Sequence, residues 1–262
     1  MKINFSKYQG AGNDFVIVNK GIIPNLDYSV IKNICNRHFG IGADGFIVLC
    51  ENLTADFEMV YYNADGNIGS MCGNGARCAA VFAFDQKIVS SNIMNFKSFD
   101  GAHTAKIFPD GAVKVSMNDV KTWKNSDNDI IIETGSPHYI KRVSGLKDLD
   151  VLFEGRKIRY NEHFKELGIN INFFEIVSNE INMRTYERGV ENETLACGTG
   201  TVAVAISTRF NNDTPIPGKF EVDIKALGGD LKVTGEFSEG VFKNLYLIGP
   251  AKKVFEGSID FA

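Results

Sequence analysis

The sequence predicts an α/β protein in the α+β sense, made of two similar halves rich in short strands. Three observations predict it: strand-like runs outnumber helical ones, a Cys-Gly-x-Gly segment opens a helical run twice, at Cys72 and Cys197, and the composition is that of a soluble globular chain. At 262 residues the chain is long enough for one large domain or two of ordinary size, and the duplication favours two.

Taken in order, the strand-like segments are 15–18, 45–50, 56–62, 102–108, 113–117, 129–132, 173–177, 181–186, 220–224 and 245–248. A helix is predicted over Tyr28–Arg37, where Val30, Ile31, Ile34 and Cys35 recur at helical spacing behind Asp27, a suitable N-cap. Two more helices are predicted to begin after Cys72-Gly73-Asn74-Gly75 and after Cys197-Gly198-Thr199-Gly200, each continuing in small residues. Both are followed by glycine turns, Phe99-Asp100-Gly101 and Leu227-Gly228-Gly229, ahead of further strands. The repeat length, 197 minus 72, is 125 residues, too long for a solenoid unit and suited to two facing domains that contribute one cysteine each to a cleft. The polar stretch Asn118–Asn128 sets the expected boundary, giving domains 1–118 and 119–262, with a tail from about 250 to 262 able to pack back on the first.

Hydrophobic content of 44% and charged content of 23% exclude disordered and collagen-like classes, and a net charge of -4 argues against a general nucleic-acid binder. The partner expected is a small molecule. The amino terminus has no long apolar run and no segment reaches the roughly 20 apolar residues of a membrane span, so a cytoplasmic protein without membrane association is expected. Five cysteines without Cys-x-x-Cys pairs fit reduced thiols better than a disulfide framework.

Cys35, Cys50 and Cys78 lie in apolar or helical runs, the setting of a small buried hydrophobe. Cys72 and Cys197 differ, because a helix start favours thiolate over thiol and offers amide donors to a carboxylate. Flanking glycines would let the backbone of Asn74 and Thr199 approach such an anion without a Cβ in the way. Two such sites suit a reaction with two proton carriers, as stereoinversion at a carbon requires. One thiolate removes the α-proton, the other thiol returns one, and preorganised donors stabilise the charge that develops on the carboxylate. His138 and Glu187 are candidate tuners of the thiol pKa values, against an ordinary turn reading for Ser136-Pro137-His138. Metal is not expected, since neither cysteine has a nearby ligand pair, and the glycine-rich segment at Gly40–Gly45 fails the nucleotide templates.

With these residues in view, the chain resembles the diaminopimelate epimerases. The resemblance rests on Gly10-Ala11-Gly12-Asn13-Asp14-Phe15, Arg37-His38-Phe39-Gly40-Ile41-Gly42-Ala43-Asp44-Gly45, Asn63-Ala64-Asp65-Gly66 and Met71-Cys72-Gly73-Asn74-Gly75-Ala76-Arg77-Cys78. It continues through Gly135-Ser136-Pro137-His138, Asn170, Tyr186-Glu187-Arg188-Gly189 and Glu193-Thr194-Leu195-Ala196-Cys197-Gly198-Thr199-Gly200, and so spans essentially the whole chain. It implies two pseudo-symmetric domains of mixed sheet wrapped around a central helix, a homodimer, no pyridoxal phosphate or other cofactor, and Cys72 and Cys197 as the catalytic pair. It further implies substrate contacts from Asn13, Asn63, Asn170, Glu187 and Arg188, and a carboxylate held by amides at Gly73, Asn74, Gly198 and Thr199. The family often has asparagine where Ser136 stands, and some members have glutamine at Gly45, so these two positions carry weaker substrate contacts. A proline racemase or hydroxyproline epimerase, a relative that has lost stereoinversion, and a single-cysteine hydrolase are the alternatives. Arg188 with its asparagines weighs against the first, the retention of both cysteines against the second, and the duplicated Cys-Gly-x-Gly against the third.

Overall fold

A computed structural model describes residues 2–19, 27–126 and 129–260; Asp127 and Asn128 of the expected linker lie outside these residues. The chain divides into two compact units, Met1–Val115 with Gly249–Ala262, and Ser116–Ile248. The first runs β1 (Lys2–Gly10), β2 (Asn13–Asn19), α1 (Tyr28–Cys35), β3 (Gly45–Cys50), β4 (Phe57–Asn63), α2 (Gly73–Asp85), β5 (Ile93–Ser98), β6 (Gly101–Ile107) and β7 (Ala112–Ser116). The second runs β8 (Trp123–Ser126), β9 (Asp129–Glu133), β10 (Pro137–Arg142), α3 (Val151–Arg159), β11 (Asn170–Val177), β12 (Glu180–Glu187), β13 (Asn192–Thr194) and α4 (Gly198–Ser207). It closes with β14 (Phe210–Asn211), β15 (Thr214–Pro215), β16 (Gly218–Ala226), β17 (Gly229–Ser238) and β18 (Val241–Pro250). The chain then returns to the first unit as β19 (Lys252–Asp260), antiparallel to β1.

The two units follow one plan. In the first, β1–β2 is antiparallel, β2–β3 parallel, β3–β4 antiparallel and β4–β5 parallel, followed by the antiparallel pairs β5–β6 and β6–β7. In the second, β9–β10, β10–β11, β11–β12, β12–β16, β16–β17 and β17–β18 repeat that order of orientations. Each parallel step needs a crossover, and the helices supply it: α1 and α3 in the first, α2 and α4 in the second. This is a mixed, sheet-dominated α+β fold with few helices, as the strand-rich pattern predicts.

Within each unit one helix lies on the outer face of the sheet and one is enclosed by strands. Ile31, Ile34 and Cys35 of α1 pack with Val16, Val18, Phe46 and Val48. In the second unit Val151 of α3 packs with Ile171, Phe173 and Tyr186, and Gly155 is where α3 meets Tyr186, since a Cβ there would stand 2.5 Å from the ring. By contrast α2 is buried from Gly73 to Ala80 and again at Phe82 and Ala83, and α4 from Gly198 to Ile206. A helix that strands surround cannot be amphipathic, which is why α4 is built of glycine, alanine and β-branched residues and α2 mostly of glycine, alanine and larger apolar residues around the buried Arg77.

Each strand segment expected from sequence overlaps a strand, and the hairpin turns at Phe99-Asp100 and Leu227-Gly228 fall in corresponding places in the two units. The helices differ in detail. The first ends at Cys35, and Asp27 is its N-cap without a capping side-chain bond, its carboxylate instead accepting from Ser29 Oγ at 3.1 Å. The other two start at Gly73 and Gly198, inside the Cys-Gly-x-Gly segments, so that the cysteines themselves are the N-caps.

Candidate active site

In the first unit, strand register gathers the expected residues at one end of the sheet. Phe15 pairs with Gly45, and Gly45 with Asn63, which places the start of β2, including Asn13, beside β3 and the end of β4. Cys72 caps α2 close by: its Sγ accepts from Gly75 N at 3.4 Å and donates to Asn13 Oδ1 at 3.8 Å. Asn13 is held at both ends of its carboxamide. Its Nδ2 donates to Asp44 Oδ2 at 2.6 Å, and its Oδ1 also accepts from Asn74 Nδ2 at 3.4 Å.

Charged groups anchor this chain of amides. Asp44 accepts from Arg37 at 2.6 Å, Arg37 also clasps Asp14, and Lys7 reaches Asp14 at 2.8 Å. Burial pushes the Asp14 carboxyl up, but the bonds and charges of Arg37 and Lys7 outweigh it and bring it down to about 2. At the other end stands Arg77, wholly buried in α2, donating to Asn74 Oδ1 at 2.9 Å, Gly73 O at 3.4 Å and Pro250 O at 3.3 Å. Burial lowers this guanidinium to about 10, while the nearby Cys78 and Cys72 sulfurs favour its charge. A guanidinium only donates and a carboxylate only accepts, so the direction of every amide between Arg77 and Asp44 is determined.

In the second unit, β10 and β11 pair His138 with Asn170, and β11 and β12 pair Asn172 with Thr185. Cys197 caps α4 without a capping side-chain bond of its own, and its Sγ lies 3.6 Å from Thr199 Oγ1. That hydroxyl is 2.9 Å from His138 Nε2 and 3.3 Å from Ser136 Oγ, and Thr134 Oγ1 donates to Thr199 O at 2.9 Å. His138 is wholly enclosed, not in a turn, because Pro137 begins β10. Burial, reinforced by the charge of Arg188, lowers it to about 3 and keeps the imidazole neutral.

Asn170 is oriented without ambiguity, since its Oδ1 accepts from Arg188 N at 2.9 Å and its Nδ2 donates to Pro137 O at 3.2 Å and Ser136 Oγ at 3.1 Å. It thereby sets the backbone that carries Arg188, whose side chain is exposed and donates to Leu167 O at 3.1 Å. Glu187 ends β12 opposite Asn192.

Two of the flanking glycines also have a packing role. A Cβ on Gly75 would meet Ile47 and Phe15, and one on Gly200 would stand 2.3 Å from Asn172 Oδ1. These two glycines make room for the protein's own side chains. Gly45 is similar: its missing Cβ is replaced by the Tyr61 ring, 2.4 Å from where that atom would be. Residues that sequence reasoning passed over are Asp44, Arg77, Asn172, Thr185 and the side chain of Thr199. A charged residue inside an apolar helical run signals Arg77, and strand alternation from Asn170 puts Asn172 on the same face.

The remaining thiols are different in kind. Burial pushes Cys35 up to about 12 and raises Cys78 further, so both stay protonated packing residues. Among the described residues no group of three or more His, Cys, Asp and Glu side chains is placed to share a metal ion, and no helix is long and apolar enough to cross a membrane. What the arrangement offers is a pair of helix-capping sulfurs with unlike neighbours, a carbonyl oxygen at Cys72 and a hydroxyl at Cys197.

The model of the family described as diaminopimelate epimerase matches residues 5–123 and 130–254. The chain belongs to the diaminopimelate epimerase family. Its family relatives include the diaminopimelate epimerase of Flavobacterium psychrophilum, 42% identical over 97% of this chain and 98% of that protein. That of Chlorobaculum tepidum is 40% identical over 95% and 98%. As epimerases, these family members are isomerases. The fold is shared more widely: a PhzF-family phenazine biosynthesis protein of Bacillus anthracis covers all of both chains with a TM-score of 0.76 at 14% identity. A hydroxyproline epimerase of Agrobacterium vitis covers 98% of this chain and 92% of its own, with a TM-score of 0.71 at 10% identity.

Proposed function

We propose that this protein epimerises LL-2,6-diaminopimelate to meso-diaminopimelate without a cofactor, by a two-base reaction in which Cys72 and Cys197 serve as acid and base. The observation that carries the reading is the pair of cysteines, each the N-cap of a buried helix and each in contact with a polar side chain that can direct its proton. One sulfur, as thiolate, takes the α-proton; the other, as thiol, delivers a proton to the opposite face of the carbon. Amides of Gly73, Asn74, Gly198 and Thr199, at helix starts, hold the carboxylate on which charge develops. Arg188 takes the distal carboxylate, since a guanidinium fork binds that group in a bidentate manner, and Asn170 sets the backbone behind it. Asn13, Asn63 and Glu187 complete the substrate contacts, Ser136 and Gly45 acting behind them, and His138 tunes Cys197. Two domains, a homodimer, a cytoplasmic setting and service to lysine and peptidoglycan precursor synthesis belong to the same reading.

The test is to incubate reduced protein with LL-diaminopimelate in deuterated water, with neither pyridoxal phosphate nor metal added, and follow the α-hydrogens by NMR and the isomers by chiral chromatography. Meso product with solvent deuterium at the inverted centre is expected. Exchange of proline or hydroxyproline in place of diaminopimelate would overturn the substrate, and no exchange of any amino acid would overturn the reaction.

A further inference from the structure

Asn172 has no part in the expected substrate contacts, yet it is wholly buried beneath α4 at a place the sequence keeps open for it. Its Nδ2 lies 2.9 Å from His138 Nδ1, and its Oδ1 accepts from Thr185 Oγ1 at 3.1 Å. The side chain also occupies the space where Gly200 lacks a Cβ, so the fourth residue of the Cys-Gly-x-Gly segment is shaped around it. A neutral imidazole carries one proton, and an amide N–H aimed at Nδ1 leaves that proton on Nε2. From there Nε2 faces Thr199 Oγ1 at 2.9 Å and Ser136 Oγ at 3.0 Å, and Thr199 Oγ1 faces Cys197 Sγ.

We propose that Asn172 is a positioning residue that fixes His138 as its Nε2–H tautomer, so that Nε2–H donates to Thr199 and the Thr199 hydroxyl proton is directed at the Cys197 sulfur. This rests on the proposed role of Cys197 as catalytic base. Every group in the series then donates towards the sulfur: amide to Nδ1, Nε2–H to hydroxyl, hydroxyl to thiolate. Ser136 Oγ, which accepts from Asn170 Nδ2, keeps its own proton and a second lone pair, and at 3.3 Å from Thr199 Oγ1 it can donate to that hydroxyl without reversing the series. A sulfur that receives a hydroxyl donor is stabilised as thiolate while the imidazole stays uncharged, which spares the buried site a second ion.

The experiment is nitrogen NMR of protein carrying 15N-histidine, with His138→Gln assigning the His138 signals among the 4 histidines. The expected result is a protonated Nε2 and an unprotonated, hydrogen-bonded Nδ1 in the unmodified sequence; a protonated Nδ1 overturns the proposal outright. In Asn172→Leu the tautomers mix, alkylation of Cys197 by iodoacetamide at fixed pH slows by about tenfold while Cys72 is unchanged, and kcat falls with KM nearly constant. Unchanged Cys197 alkylation in a folded variant refutes the relay. Thr185→Val, which releases Asn172 Oδ1, and Gly200→Ala, which displaces it, give the same reading should Asn172→Leu not fold. The tautomer and alkylation readings need no substrate, so they stand apart from any failure of diaminopimelate to react.

Discussion

The carboxamide oxygen of Asn13 lies 3.8 Å from the Cys72 sulfur, and its identity as oxygen is determined from both sides. Asp44 can only accept and takes the Asn13 Nδ2; Arg77 can only donate and turns Asn74 so that its Nδ2 also meets Asn13 Oδ1. An oxygen acceptor favours the protonated thiol, whereas Cys197 meets a hydroxyl that can donate. On the proposed mechanism Cys72 rests as the acid. Asp44→Ala frees Asn13 to rotate, and kcat is expected to fall by about tenfold, as the loss of one bond to a charged group implies. Because Asp44 is exposed and the Arg37–Asp14 pair survives, stability should change by less than about 1 kcal/mol. Steady-state kinetics beside urea unfolding separates the two; undiminished kcat would mean that the Asn13 orientation is incidental.

Arg77 is buried with neutral partners, an unusual expense for a helix that could have carried an apolar residue there. Its charge favours anionic sulfur nearby, the state Cys72 reaches on giving up its proton. Arg77→Met removes that charge and leaves Asn74 Oδ1 without its donor, so a stability loss of about 2–4 kcal/mol is expected. Slower alkylation of Cys72 at fixed pH, with Cys197 unaffected, is the chemical signature. A stable variant with normal Cys72 reactivity would remove Arg77 from the chemistry.

His138 predicts an acid-side loss of stability. Burial, with the Arg188 charge, puts the folded pKa at about 3 against an ordinary 6.5, so between those values the unfolded chain binds a proton that the folded one refuses. Stability is therefore full above pH 6.5 and declines as pH falls towards 3. Asp14, brought to about 2 from 3.8, acts only below that upper value, with its stabilisation lost as pH drops further. From pH 6 to 4 the slope from His138 alone approaches about 1.4 kcal/mol per pH unit. Comparing urea unfolding of the unmodified protein and His138→Gln across that range should show one proton less in the variant. Parallel curves would mean that His138 is charged in the folded protein.

Much of this was legible in the sequence because it was repeated or periodic. The two Cys-Gly-x-Gly segments announced the duplication, and a continuous apolar run marked the strand Gly45–Cys50, buried at every position, at its true bounds. What escaped had its pattern interrupted. Strand β1 alternates until Lys7, a buried cation paired with Asp14, breaks the apolar face. Helix α3 carries caps, with Asp150 accepting from Phe153 N at 2.9 Å and Arg156, Lys157 and Arg159 in its last turn, but little apolar periodicity. At the site, the cysteines stood out by context, whereas Asn172 and Asp44 act through neighbours brought near only by strand register. Glycine held a role that sequence does not announce, since Gly75 and Gly200 also leave room for Ile47, Phe15 and Asn172.

Gly45 gives the same lesson a quantitative test. The Tyr61 ring is seated on two glycines: a Cβ would come within 2.4 Å of it at Gly45 and 2.6 Å at Gly69, while Phe15 meets it edge-on at 6.1 Å. Position 45 therefore has no room for the glutamine that some relatives of the resemblance carry, unless the tyrosine gives way. Gly45→Ala should cost about 1–3 kcal/mol through forced displacement of the ring. In Gly45→Ala with Tyr61→Ala the ring clash is removed and only the close approach to Tyr62 O at 2.9 Å stays, so the pair should be more stable than the sum of the single changes predicts, by more than about 0.5 kcal/mol. Urea unfolding of the four proteins measures that coupling. Simple additivity would show that Tyr61 yields freely, and would reopen position 45 to a side chain facing the substrate.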